Sequence, residues 1–183
     1  MNRVNELSQA RIHVQQHTED GFAVQLRSDS IGVLEVPEFA NALVSIHIGT
    51  AARMSCKRGG MSHTGSAVHG DIDIIPAGIP SLWQMHDEND RALLMSLPVG
   101  MLDAVAEENG FAVGVELRNR FMVRDRQLEN IGWAMKSEME MGSPSGRLFL
   151  DGLALSAAAR LVAGLEWDHP VSRDRLRLPA EMR

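Results

Sequence analysis

The chain of 183 residues has the length of one domain of ordinary size, and 44% hydrophobic with 23% charged content is that of a folded protein, which excludes the disordered class. Its 18 basic against 24 acidic residues give a formal charge of −6, the wrong sign for a chain that neutralises nucleic-acid phosphates by itself, and the absence of tyrosine leaves little for a base-stacking platform. The single cysteine, Cys56, rules out an internal disulfide; no run nears the roughly 20 apolar residues of a membrane span, and Met1–Gln9 lacks the basic start and apolar run of a secretory signal, so a cytoplasmic location is expected.

From Ile12 to Leu97 the chain reads as short extended runs separated by turn residues. Such runs include Ile12–His17, Ile31–Val36, Leu43–Ile48, Asp71–Ile75, Ser81–Met85 and Ala92–Leu97. Asp20-Gly21, Gly59-Gly60, Gly65, Gly70 and the corner Pro76–Pro80 supply the punctuation, with no helical crossover between successive strands. An antiparallel sandwich or barrel follows. At Asp71–Ile75 the alternation puts Ile72 and Ile74 on one side and Asp71 and Asp73 on the other, which suggests an apolar interior and a wet outer face.

After Pro98 the apolar period lengthens to that of helices. Pro98 suits a first helical position, Leu102, Val105 and Ala106 share a face, and Asn109-Gly110 supplies a left-handed stop. Residues Phe111–Val123 read as a connector with an extended piece around Val113–Leu117. Asp125 then caps a second helix whose face carries Leu128, Ile131, Met135 and Met139 before Gly142 ends it. A third helix begins at Ser143-Pro144 and runs to about Glu166, with Leu150, Leu153, Ala154, Ala157, Leu161 and Leu165 in one stripe. A second stripe of Leu148, Leu155, Ala159 and Val162 makes more than half its circumference apolar, more than one sheet surface covers. Two explanations stand: a second copy of the chain, with a twofold homodimer as the default, or an antiparallel hairpin with the second helix that hides both stripes. The last stretch, Val171–Arg183, carries +2 while the remainder carries −8.

The most specific local pattern is Gly70–Gly78: a glycine, five residues, Pro76, one residue, and Gly78. It resembles the second conserved motif of cupins. In metal-binding cupins a histidine lies three residues after the last glycine, where this chain has Ser81; the first motif's His-x-His is also missing, since His47 is followed by Ile48 and Gly49, and His63 by Thr64 and Gly65. The likeness is thus to the metal-free branch. In a wider frame, His69–Trp83, Leu93–Pro98, Phe121–Asp125, Glu138–Gly142 and Gly146–Ala154, in that order over roughly residues 40 to 168, resemble the N-terminal effector-binding and dimerisation domain of AraC-type transcription regulators. The resemblance implies a mainly β chain with C-terminal helices. Residues 1–97 would form a cupin-like jelly-roll barrel, residues 98–168 a helical dimerisation region packed on it, and residues 169–183 the start of a linker to a helix-turn-helix domain that this chain lacks. It also implies a small-molecule effector in the barrel, no cofactor, no enzymatic activity of its own, and DNA contact only through that absent domain.

Strand parity nominates Ser81, Trp83 and Met85 as pocket residues beside Ile72 and Ile74, with His47 or His63 as a polar partner and Met54 and Met61 as adaptable walls. Each also reads as plain core packing; Trp83 near a barrel rim packs well without a ligand. The dimer reading assigns Leu148, Leu155, Ala159 and Val162 to the contact. Among the seven histidines, His47, His63, His69 and His86 fall in the β half, so a two-histidine, one-carboxylate metal site with Asp71, Asp73 or Asp87 is the rival, as in a small cupin oxygenase or isomerase. His13, His17 and His169 are expected at the surface, His69 beside the Gly70 turn, and Cys56 as an inert strand thiol.

Overall fold

The computed structural model describes residues 10–88, 90–111, 114 and 116–164. The basic tail, the linker, His169 and the Leu165–Glu166 end of the third helix lie outside the described residues. The strands are β1 (Ala10–His17), β2 (Ala23–Asp29), β3 (Gly32–Val36), β4 (Ala42–His47), β5 (Ala52–Arg58), β6 (Met61–Ala67), β7 (Ile72–Ile75), β8 (Ser81–Met85) and β9 (Asp90–Leu97). Helix α1 (Val99–Glu108), strand β10 (Arg120–Val123), and helices α2 (Arg126–Glu140) and α3 (Arg147–Ala163) follow.

Every strand pair is antiparallel. One sheet has the order β1-β2-β9-β4-β7-β10 and the other β3-β8-β5-β6, so the chain passes repeatedly between two facing sheets. This is a cupin-like jelly roll, mainly β with its helices mostly C-terminal, as expected. Gly59 and Gly60, at φ 55° and 73°, join β5 to β6 in a two-residue hairpin, where consecutive positive φ angles match the twist of the strands. The extended piece expected around Val113–Leu117 falls partly outside the described residues; the connector's strand β10 lies at Arg120–Val123 and forms by pairing with β7, a partner that local propensity does not reveal.

The helices obey local rules. Asp125 caps α2, its Oδ1 accepting from the backbone N–H of Gln127 and Leu128, each at 3.0 Å. At the far end, Ser143 N–H bonds to the Glu138 carbonyl at 2.8 Å and Gly142 N–H to that of Met139 at 3.2 Å, with Gly142 left-handed at φ 79°. That satisfies the orphan carbonyls of the last turn. The third helix starts at Arg147, three residues later than Pro144 suggests, because Gly146 at φ 75° breaks the helical path.

Two apolar layers result. The outer one lies between the six-stranded sheet and the helices, and joins Val24, Val44, Ile46, Ile72, Leu93 and Met95 to Leu102, Leu128, Met135, Ala154 and Leu161. The inner layer, between the sheets, holds Leu43, Met54, Cys56, Ile75, Trp83 and Met85. This reverses the expected orientation of β7. Ile72 is fully buried in the outer layer and Ile74 packs against it, while Asp73 points into the cup. The alternation is real, but the sheet has no wet face there, so the apolar side of β7 belongs under the helices.

Candidate functional site

Between the sheets lies a cavity of about 420 Å³, within the range of small-molecule pockets. Its two walls differ in chemistry. The four-stranded sheet presents mostly apolar Leu34, Val36, Met54, Trp83 and Met85, with Glu35 and Ser81, whereas the six-stranded sheet mixes Gln25, Arg27, Asp29, Ser45, His47, Asp90 and Ser96 with Ala23, Leu43, Ile75, Ala92 and Leu94. Alternation accounts for the latter set: Gln25, Arg27 and Asp29 are every second residue of β2, with Val24 and Leu26 facing the helices between them.

Of the sequence-nominated residues, His47, Ser81, Trp83 and Met85 line this cavity, together with Met54. Ser81, Trp83 and Met85 are all buried, as parity requires, while His86 is exposed. Trp83 Nε1 donates to Ser81 Oγ at 2.8 Å, so the indole is held by its own strand. Ile72 and Ile74 lie on the far side of the sheet. His63 is stacked on Phe121 with ring centroids 5.5 Å apart and is not a cavity residue; its strand β6 is at the edge of the smaller sheet. Met61 is half exposed at a hairpin end. Cys56 is buried, and burial pushes its thiol up to about 11, so it is protonated and unreactive at neutral pH. His17 is exposed as expected, yet it also borders the cavity.

The charged groups are arranged in pairs. Arg27 grips Asp29 from two nitrogens, Nε to Oδ2 at 3.1 Å and Nη2 to Oδ1 at 2.5 Å. Burial raises the Asp29 carboxyl above its ordinary range against the pull of Arg27, and neighbouring Asp90 adds to the rise. His47 Nδ1 lies 2.9 Å from Asp90 Oδ1, and its Nε2 lies 2.8 Å from the Thr50 carbonyl. Burial opposes the imidazolium, but Asp90 and the Thr50 carbonyl outweigh it, and the pKa of His47 is raised. Deeper in the cup, the wholly buried Arg58 side chain donates to Asp73 at 2.7 Å, to Asn119 Oδ1 at 2.6 Å and to the Arg120 carbonyl at 2.6 Å.

These contacts decide how well the cup suits a metal. His47 has one ring nitrogen against a carboxylate and the other against a carbonyl, so neither offers a lone pair inward. Asp73 is committed to Arg58, and the position three residues after Gly78 holds Ser81, whose oxygen accepts from Trp83. Among the described residues no three His, Cys, Asp or Glu side chains converge to hold an ion. The donor set does not fit a cupin metal centre.

Sequence reasoning overlooked Gln25, Arg27, Asp29, Asp90 and Ser96. The alternating run Ala23–Asp29 carried a signal, since polar residues at every second position mark one face of a strand, but that face reads as solvent until the second sheet closes over it.

No protein-family description and no curated protein matches the chain. Solved structures do. The AraC-like transcriptional activator CuxR aligns over 84% of this chain and 55% of its own, with 14% identity and a TM-score of 0.53. The two share a fold. Weaker likenesses are to the cupin domain of Schizosaccharomyces pombe Cnp3, with 12% identity over 57% of this chain and 74% of that one at a TM-score of 0.41, and to a Bacillus subtilis oxalate decarboxylase, with 16% identity over 61% and 39% at 0.39. The chain thus spans about half the length of CuxR and less of the decarboxylase. No helix among the described residues is long and apolar enough to cross a membrane.

Proposed function

We propose that the chain is the effector-binding and dimerising module of an AraC-type transcription regulator. A small molecule binds in the cup, two copies join through α3, and attached helix-turn-helix domains read DNA. The cavity carries the reading: it is lined mostly by apolar side chains with a set of polar and charged groups on the six-stranded sheet, and among the described residues no three donors converge on an ion, which is the make-up of a binding pocket.

A route from cup to helices supports it. Arg124, just after β10, reaches Asp71 at 2.9 Å and the His69 carbonyl at 2.8 Å beside the Gly70 turn. Next to it Asp125 caps α2 and accepts from Arg160 of α3 at 2.7 Å, while His69 stacks on Trp133 of α2 with centroids 4.7 Å apart. An effector with different affinities for two positions of this strap would bias how α3 is presented. The face it would present includes Leu148 and Leu155, 84% and 51% exposed.

The test is thermal melting of the purified protein across a library of small metabolites, repeated with Ser45→Phe, which fills the cup. An effector raises the Tm of the native chain and loses the effect in the filled variant. Turnover of a substrate with a stoichiometric bound metal would instead establish the cupin-enzyme alternative.

A further inference from the structure

Resting on the reading of the cup as an effector site, we infer that the effector carries a protonated amine and that Asp29 and Asp90 receive it. These residues are direct partners across β2 and β9, 5% and 7% exposed, and both line the cavity. Two carboxylates held side by side away from water raise each other's energy unless positive charge is shared between them. Arg27 matches Asp29 with a two-nitrogen grip, which accounts for one carboxylate.

Asp90 is less well served. Its Oδ1 lies 2.9 Å from His47 Nδ1, an ion pair when the imidazole is protonated, but this buried oxygen accepts no hydrogen bond of good geometry. Buried acceptors without donors are rare because the lost hydration is not replaced. Two strands further along the same sheet, on β7, Asp73 has Arg58 at 2.7 Å. The unmatched acceptor capacity is therefore concentrated where β2 meets β9.

The rest of the cavity fixes the shape of the molecule. Trp83, Met54, Met85 and Leu34 offer an apolar surface facing the acidic end, suited to a short hydrocarbon or aromatic body. An anionic head would meet the carboxylates directly. A hydroxyl head supplies a single donor, whereas an ammonium supplies up to three donors and a positive charge together, enough to reach both carboxylates.

Isothermal titration with a matched set of probes tests this: phenethylamine, phenethyl alcohol and hydrocinnamate share a body and differ in the charge of the head. The amine is expected to bind the native protein at least about tenfold more tightly than the alcohol, equivalent to about 1.4 kcal/mol, with the carboxylate weakest. Asp90→Asn and Asp29→Asn each reduce that preference to near unity while leaving the alcohol's affinity in place; Asp87→Asn, outside the cavity, leaves both unchanged. Equal or tighter binding of the alcohol or the carboxylate overturns the inference, as does a preference that survives both cavity substitutions. If Asp90→Asn does not fold, the native ranking and Asp29→Asn still decide. Failure of all three probes to saturate is a different result, and it removes the effector reading of the cup itself.

Discussion

Arg58 and Asp73 form an ion pair within the cup, 2.7 Å apart, with the guanidinium 3.8 Å from the centroid of the Phe121 ring. The Arg58 side chain is wholly buried, and Asn119 and the Arg120 carbonyl accept its other protons. It thereby ties β5 to β7 and β10.

Removing the arginine alone leaves a buried carboxylate and two further acceptors unmatched. Breaking a buried pair from one side costs about 3–5 kcal/mol, so Arg58→Met should lower the unfolding free energy measured in urea by an amount of that order. Burial already raises the Asp73 carboxyl against the influence of Arg58. Asp73→Asn added to Arg58→Met should therefore recover part of the loss. A double variant as unstable as the single one would mean that Arg58 acts through Asn119 and Arg120 instead.

His47 makes stability depend on pH. Its pKa is raised in the folded state, where Asp90 and the Thr50 carbonyl hold the imidazolium and Asp71 adds to the field. The folded protein thus binds more protons than the unfolded one above the ordinary histidine range near pH 6.5. Its stabilising contribution is complete below that range and disappears as pH rises through the folded-state value. In urea titrations the native protein should exceed His47→Gln by more at about pH 6 than at about pH 9. A difference that grows with pH would reverse the assignment of charge to His47.

The contrast between Trp83 and Asp73 shows what kind of information the sequence carries. Parity along Ser81–Met85 correctly sent Ser81, Trp83 and Met85 inward, because β8 lies in the sheet whose outer side is solvent, where Leu82 is partly exposed. The same argument failed along Asp71–Ile75, where both faces are covered and Asp73 is stabilised by Arg58, fifteen residues away. The strand runs, turns, caps and first two helices follow from local chemistry and were legible. Which side of a doubly covered strand faces the cavity depends on distant partners, as does the pairing of β10 with β7. Ile72 and Ile74, two of the seven nominated pocket residues, were lost to that one ambiguity, and the polar residues of β2 and β9 were not seen.

Gly132 shows how tightly α2 rests on the sheet. A Cβ there would lie 2.5 Å from Ile46 Cδ1 and 3.1 Å from Leu93 Cδ2. Alanine would gain about 1 kcal/mol of helix propensity, but overpacking a filled core costs about 1–3 kcal/mol. Gly132→Ala is expected to destabilise by up to about 2 kcal/mol. Shortening the opposing side chain with Ile46→Val removes the clashing atom and should return most of the loss. The check is a double-mutant cycle in urea, in which simple additivity would show that the two residues do not meet.

The exposed side of α3 corrects one part of the proposed dimer contact and sharpens the rest. Val162 lies seven residues beyond Leu155 on the same side of the helix, yet it is 1% exposed and belongs to the cluster with Leu102 and Ala106 of α1. It packs within its own chain. Leu148, Leu155 and Ala159 remain exposed, and α2 does not cover them as a closed hairpin would. A twofold contact uses the same patch on both copies, so Leu155→Glu places a carboxylate from each copy in the junction. Light scattering at micromolar protein is expected to give a dimer for the native chain and a monomer for Leu155→Glu. Because Leu155 is half exposed, the unfolding free energy of the isolated monomer should change by no more than about 0.5 kcal/mol. A native chain that runs as a monomer, or a variant that stays dimeric, would move the association surface away from α3.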